Sequence, residues 1–314
     1  MQLINALSLT PAVNNWLANS RHPRILHVFD HACNLINERR EVLSIVTQQI
    51  GNGPFNLVLL KLPGNINLQS PISISPTQLT LGDITITTAS AKLWHPRPDW
   101  EMLHAKKDDI LNQIMSLRGQ WFSARSNPLD NWEIASSQRT SALLATTLLF
   151  TNHQKHGLQS PVSNLQFFNP QFSNSLISSL AIADLPSSLT TAKQLAGLGQ
   201  GLTPAGDDFI LGALLAAWII HPPEIARVLA EKIAKTAAPL TTSLSAAWLR
   251  SAGKGEAGIL WHKFFEALSH PISSLQSPIS KILSIGHTSG ADALAGFFGV
   301  CSAFKERIIN ECPS

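Results

Sequence analysis

Along the first hundred residues, apolar positions come in short runs broken by Gly and Pro, and beyond Trp100 they recur at helical spacing. Residues 55–62 (FNLVLLKL) read as a strand bounded by Gly53-Pro54 and Pro63-Gly64. Residues 79–81 and 84–88 flank Gly82-Asp83, a hairpin signal, whereas 30–49 reads as a helix. Helices are predicted over 101–118, 131–151, 209–220, 223–236, 242–252, 258–269 and 291–309. Between them, 154–186 is rich in Ser, Asn, Gln and Pro, the composition of a long irregular surface connection on which a partner could dock. The expected fold is α+β: a β-rich N-terminal domain over 1–100, then a mainly helical domain over 101–314 with two buried central helices.

Composition narrows this picture. Apolar residues make up 44% of the 314 positions and charged residues 14%, so the chain has ample material for a large core. The net charge of +3 is scattered, with no basic stripe, which excludes nucleic acid as the expected partner. Cys33, Cys301 and Cys312 form no C-x-x-C pair, which argues against zinc and suits a reducing compartment. Residues 1–19 lack a signal-peptide pattern, and the apolar run 209–220 falls short of the roughly 20 residues a bilayer requires. A cytoplasmic protein with no membrane partner is expected.

The most informative segment is 197–208, GLGQGLTPAGDD. Gly197, Gly199 and Gly201 permit positive φ and close approach of a ligand to bare backbone. Thr203 is the expected N-cap and Pro204 the expected first helical residue. The following helix is apolar all round, hence buried, and its N-terminus favours phosphate or carboxylate. Asp207 and Asp208 point about 100° apart on a helix, so one is expected to reach the site while the other braces the loop.

Residues 286–292, GHTSGAD, look like a weaker copy. Gly286-x-Thr288 matches Gly201-x-Thr203, and Asp292 precedes Gly296 as Asp208 precedes Gly212, one helical turn in each case. The two central helices are expected to pack through Gly212, Gly296 and Gly299, bringing both turns to one site. Candidate chemistry falls on Asp207, Asp208, His287 and Asp292; candidate ligand contacts are Gly199, Gly201, Thr203, Gly206, Thr242, Ser245, Gly286, Thr288, Ser289 and Gly290. Such turns also stabilise helices without binding anything, and helix caps account for Thr242, Ser245 and Glu256 equally well. Trp94 is expected in the core, and 106–109 (KKDD) as a solvated helix face. The sequence carries no P-loop, no Rossmann fingerprint after a strand and no Gly-x-Ser-x-Gly elbow.

GLGQGLTPAGDDFILG, TTSLSAAWLRSAGKGEAG and GHTSGADALAGFF together resemble a bacterial family long labelled a domain of unknown function. One branch is the AllH-type subunit of the oxamate carbamoyltransferase of allantoin breakdown. The resemblance extends to GNGPFNLVLL and to Trp94-His95-Pro96, so it covers most of the chain. It implies carbamoyl transfer between oxalurate and phosphate, giving oxamate and carbamoyl phosphate, in company with other subunits. The chain lacks the Ser-Thr-Arg-Thr and His-Pro-x-Gln elements of the familiar aspartate and ornithine carbamoyltransferases, so the resemblance implies a different scaffold for that chemistry. In this reading His287 shuttles a proton and an aspartate orients the carbamoyl nitrogen. Two alternatives stand beside it. One is an enzyme in which Asp207 or Asp208 shares Mg2+ with Asp292 beside a phosphorylated ligand. The other is a non-catalytic subunit that binds a small anionic metabolite.

Overall fold

The computed structural model describes residues 2–64, 66–126 and 170–311. The chain divides into two compact units, Met1–Arg97 with Glu256–Ile259, and Pro98–Gly255 with Leu260–Ser314.

The first unit contains the strands β1 (Gln2–Asn5), β2 (Ser8–Leu9), β3 (Arg24–Val28), β4 (Ala32–Ile36), β5 (Val42–Thr47), β6 (Asn56–Leu59), β7 (Ile72–Ser75), β8 (Gln78–Leu81), β9 (Ile84–Thr87) and β10 (Lys92–Leu93). They form a four-stranded sheet in the order β1-β9-β8-β7 and a six-stranded sheet in the order β10-β2-β6-β5-β4-β3. The hairpin expected at Gly82-Asp83 joins β8 to β9, pairs Leu81 with Ile84, and places Leu79, Leu81, Ile84 and Ile86 in the core. Helix α1 (Pro11–Asn19) is capped by the Thr10 hydroxyl, which accepts from Val13 N, and it buries Val13, Trp16 and Leu17.

Two expectations fail in this unit. Residues 30–49 form no helix but the antiparallel pair β4 and β5, with Ile36 opposite Val42. All six residues of β5 are buried, so the strand lacks the alternation that would mark it. Its preceding turn uses no glycine: Arg40 takes φ +59°, and the Asn37 side chain accepts the amides of Arg39 and Glu41. Trp94 is only half-buried.

The second unit is helical: α2 (Trp100–Ala105), α3 (Lys107–Ser126), α4 (Pro170–Ala181), α5 (Leu185–Leu195), α6 (Ala205–Ile220), α7 (Pro223–Ala237), α8 (Ser243–Gly253), α9 (Ile259–Ala267), α10 (Gln276–Leu283) and α11 (Ser289–Glu311). The helix expected over 131–151 and the stretch 154–169 lie outside the described residues. The remainder of 154–186 is not irregular: α4 hides Leu176, Ile177 and Leu180 among serines, and α5 begins at Leu185 behind an Asp184 cap. The helix expected over 101–118 breaks at Lys106 into α2 and α3. Trp100, fully buried, stacks on Trp218 at 5.7 Å and donates to Gly255 O.

At the centre of this unit, α6 and α11 lie in backbone contact. A Cβ at Gly212 would sit 1.7 Å from Ala293 O, and one at Gly296 would sit 2.0 Å from Phe209 O. Gly299, expected in the same seam, faces Ile177 of α4 instead. Trp261, Phe264, Phe265 and Phe297 form an aromatic cluster, with Phe264 and Phe297 edge to face at 5.4 Å. Among the described residues, no helix is long and apolar enough to cross a membrane.

Candidate functional site

The turn before α6 folds back on itself. Leu198 N donates to Leu195 O and Gly206 N to Leu198 O, while Gly197 and Gly199 adopt φ +74° and +117°. A Cβ at Gly197 would approach Leu240 O to 2.6 Å, and one at Gly199 would approach Ala205 N to 2.7 Å, so only glycine fits either place. Helix α6 starts at Ala205, one residue later than expected, with Pro204 as a cap that offers no side-chain bond. Thr203 therefore does not cap the helix. Its hydroxyl is hydrogen-bonded at 2.8 Å to Ser289 Oγ, at the first residue of α11, and this bond joins the two glycine-rich turns.

Asp207 is the brace. It is 1% exposed, and its carboxylate accepts from Gly197 N at 2.9 Å, from Ser245 Oγ at 2.8 Å and from the Thr241 hydroxyl. Burial raises its pKa and the three donors oppose that rise. Thr242 caps α8, accepting from Ser245 N at 3.1 Å, and donates to Leu202 O at 2.5 Å. The candidates Thr242 and Ser245 are thus spent on holding the turn. Thr241 was not singled out by the sequence reading; its neighbours in the Thr-Thr-Ser-Leu-Ser run were the only available signal.

Asp208 and Asp292 stand differently. They are 8% and 9% exposed, and Oδ2 of each is buried with no hydrogen-bond partner. Burial holds Asp208 well above the usual carboxylate range, and the charges of Asp292 and Asp207 push the same way, against hydrogen bonds from the Ser289 and Thr203 hydroxyls. Burial likewise raises Asp292 to about 7, against a bond from the Thr288 hydroxyl. Both carboxyls belong to the first turns of α6 and α11.

Around them the backbone is rich in unused donors. Among the described residues, the amides of Gly199, Gln200, Gly201, Leu202, Thr203 and Ala205 meet no protein acceptor, nor do those of Gly286, His287, Thr288 and Ser289. Gly206 and Gly290 do not share this role. Their amides bond to Leu198 O and Ile285 O, and a Cβ would lie 2.0 Å from Leu195 O or 1.8 Å from Ile282 O. His287 is exposed and makes no hydrogen bond to a described residue. Glu256 is grouped with the first unit, whereas the two glycine-rich turns belong to the second. Among the described residues no three His, Cys, Asp or Glu side chains gather as a metal cluster. The ends of two helix dipoles favour an anion there over a cation.

The arrangement can therefore do two things chemically: present amide donors to an anion at paired helix N-termini, and hold protons on carboxyls more tightly than exposed carboxyls do. Residues 195–301, which include every group just described, match the family described as oxamate carbamoyltransferase subunit AllH. Residues 5–93 match the AllH family N-terminal domain. No solved structure matches the chain. With one match over the sheets and the other over the helices that carry both glycine-rich turns, this chain belongs to the AllH family.

Proposed function

We propose that this chain is the subunit of a cytoplasmic oxamate carbamoyltransferase that holds the anionic reactants, with other subunits completing the enzyme. The reaction moves the carbamoyl group of oxalurate to phosphate, giving oxamate and carbamoyl phosphate, a step of allantoin breakdown. Every reactant carries a carboxylate or a phosphate, the groups that unpaired amides at helix N-termini receive. The observation that carries this reading is the Thr203–Ser289 bond, which brings two such N-termini together over Asp208 and Asp292. In it, the amides of Gly199, Gly201, Gly286 and their neighbours hold the anions. Asp208 and Asp292 orient the carbamoyl nitrogen, and Asp207 keeps the first turn in shape.

The test is phosphate-dependent breakdown of oxalurate by the chain assembled with its partner subunits. Asp208→Asn is expected to lower turnover by about 10²–10⁴-fold, the range of a lost acid–base group, with an unchanged far-UV circular dichroism spectrum. Undiminished turnover would take Asp208 out of the chemistry. No turnover by the wild-type assembly would overturn the reaction assigned here.

A further inference from the structure

We infer that Asp208 and Asp292 form a buried proton store for this site, connected to the glycine-rich turn by the hydroxyls of Ser289 and Thr203. The inference rests on the function proposed above, which requires a proton on nitrogen and makes Asp208 an acid–base group without giving the proton a route. His287 is exposed and hydrogen-bonded to no described residue, so nothing orients it for that task. Asp208 and Asp292, by contrast, each keep one buried oxygen without a partner on residues at least nine-tenths buried. An ionised carboxylate oxygen so placed is costly, and a proton removes the charge.

Among the described residues, the charged groups acting on Asp208 are Asp292 of α11 and Asp207 of its own helix, both acidic, and neither carboxyl has a Lys, Arg or His acting on it. The described helices packed against α6 and α11 thus supply no cation to take the place of the proton. From Asp208 a path leads outward: the Ser289 and Thr203 hydroxyls both hydrogen-bond to its carboxyl, and they lie 2.8 Å from each other. Both hydroxyls belong to half-buried residues, and Thr203 sits among the unpaired amides of the first turn.

The step balances with these groups alone. A phosphate oxygen bonds to the carbamoyl carbon of oxalurate, the bond from that carbon to the oxamate nitrogen breaks, and its electron pair stays on nitrogen. Nitrogen takes the proton of the Thr203 hydroxyl, which takes one from Asp208, either directly or by way of Ser289. In the reverse direction the same proton returns inward. Ser289 and Thr203 act here as relay residues and Asp292 as the partner that keeps Asp208 protonated.

Two measurements test this. The first uses the purified chain without substrate: infrared difference spectra between pH 6 and pH 9 are expected to show loss of a protonated carboxyl band, diminished in Asp208→Asn and in Asp292→Asn. In Ser289→Ala the band should persist to higher pH, because a hydroxyl that favours the ionised form is gone. Absence of the band in the wild-type chain overturns the store whatever the enzyme does. The second uses the assembled enzyme. Thr203→Ala should lower kcat at least about a hundredfold and leave KM for phosphate unchanged, while Thr203→Ser, which restores a hydroxyl, recovers most of the rate. An alanine variant with the wild-type rate and pH profile would overturn the relay. A wild-type assembly that ignores oxalurate but shows the infrared band would instead overturn the assigned reaction and leave the store standing.

Discussion

Asp207 and Asp208 leave the first turn of α6 about 100° apart, and that angle decides what their oxygens meet. Asp207 collects Gly197 N, Ser245 Oγ and the Thr241 hydroxyl, so Asp207→Ala strands one buried and two part-buried donors. At about 1.5–3 kcal/mol per hydrogen bond to a charged group, urea unfolding should show a loss of roughly 3 kcal/mol or more. Asp292 gives a pH signature. Its value rises in the folded state from 3.8 to about 7, so the native chain holds a proton that the unfolded chain has released. Its contribution to stability is full below about pH 4 and falls as pH climbs through about 7, with a slope of up to ~1.4 kcal/mol per unit. Asp292→Asn carries no titrating proton and should flatten that part of the stability–pH curve relative to wild type. That one of the paired aspartates braces the turn was legible in the sequence. Which one does so was not, because its partners lie ten to thirty-eight residues away in the chain.

Helices α6 and α11 were legible as buried central elements because each is an apolar run behind a glycine-rich turn, and Gly212 and Gly296 do form the seam between them. At this seam a methyl group has nowhere to go. Gly212→Ala puts a Cβ 1.7 Å from Ala293 O and should cost about 3 kcal/mol or prevent folding, read by circular dichroism and urea titration. Thr242→Ala removes the cap of α8 and should cost about 0.5–2 kcal/mol. The elements that escaped the sequence did so for physical reasons. Strand β5 is buried on both faces and shows no alternation of apolar and polar positions, and the turn before it is made by Arg40 and Asn37 without glycine. Helix α4 was masked by its serines and asparagine, which disfavour helix in isolation, while Leu176, Ile177 and Leu180 anchor it through tertiary contacts.

At the scale of the whole molecule, a ligand that seats on the paired turns favours the folded chain alone. Carbamoyl phosphate or oxamate at a hundredfold excess over its dissociation constant should therefore raise apparent stability by roughly 2.7 kcal/mol. A thermal-shift series checks this, and the shift should vanish at equal concentration in Asp208→Asn. The division into a β unit and a helical unit follows the change of pattern near Trp100, yet Glu256–Ile259 belongs to the first unit, which no local pattern announces. Ala257 N donates there to Pro96 O, and Ile259 N donates to Asn52 O. The backbone consequently passes between the units at 97–98, 255–256 and 259–260. A gene cut after Arg97 would encode sheets deprived of both bonds, and the complementary fragment would carry four residues whose place is elsewhere. The two parts are separate in packing but interleaved in sequence, so no single cut of the gene yields either one whole.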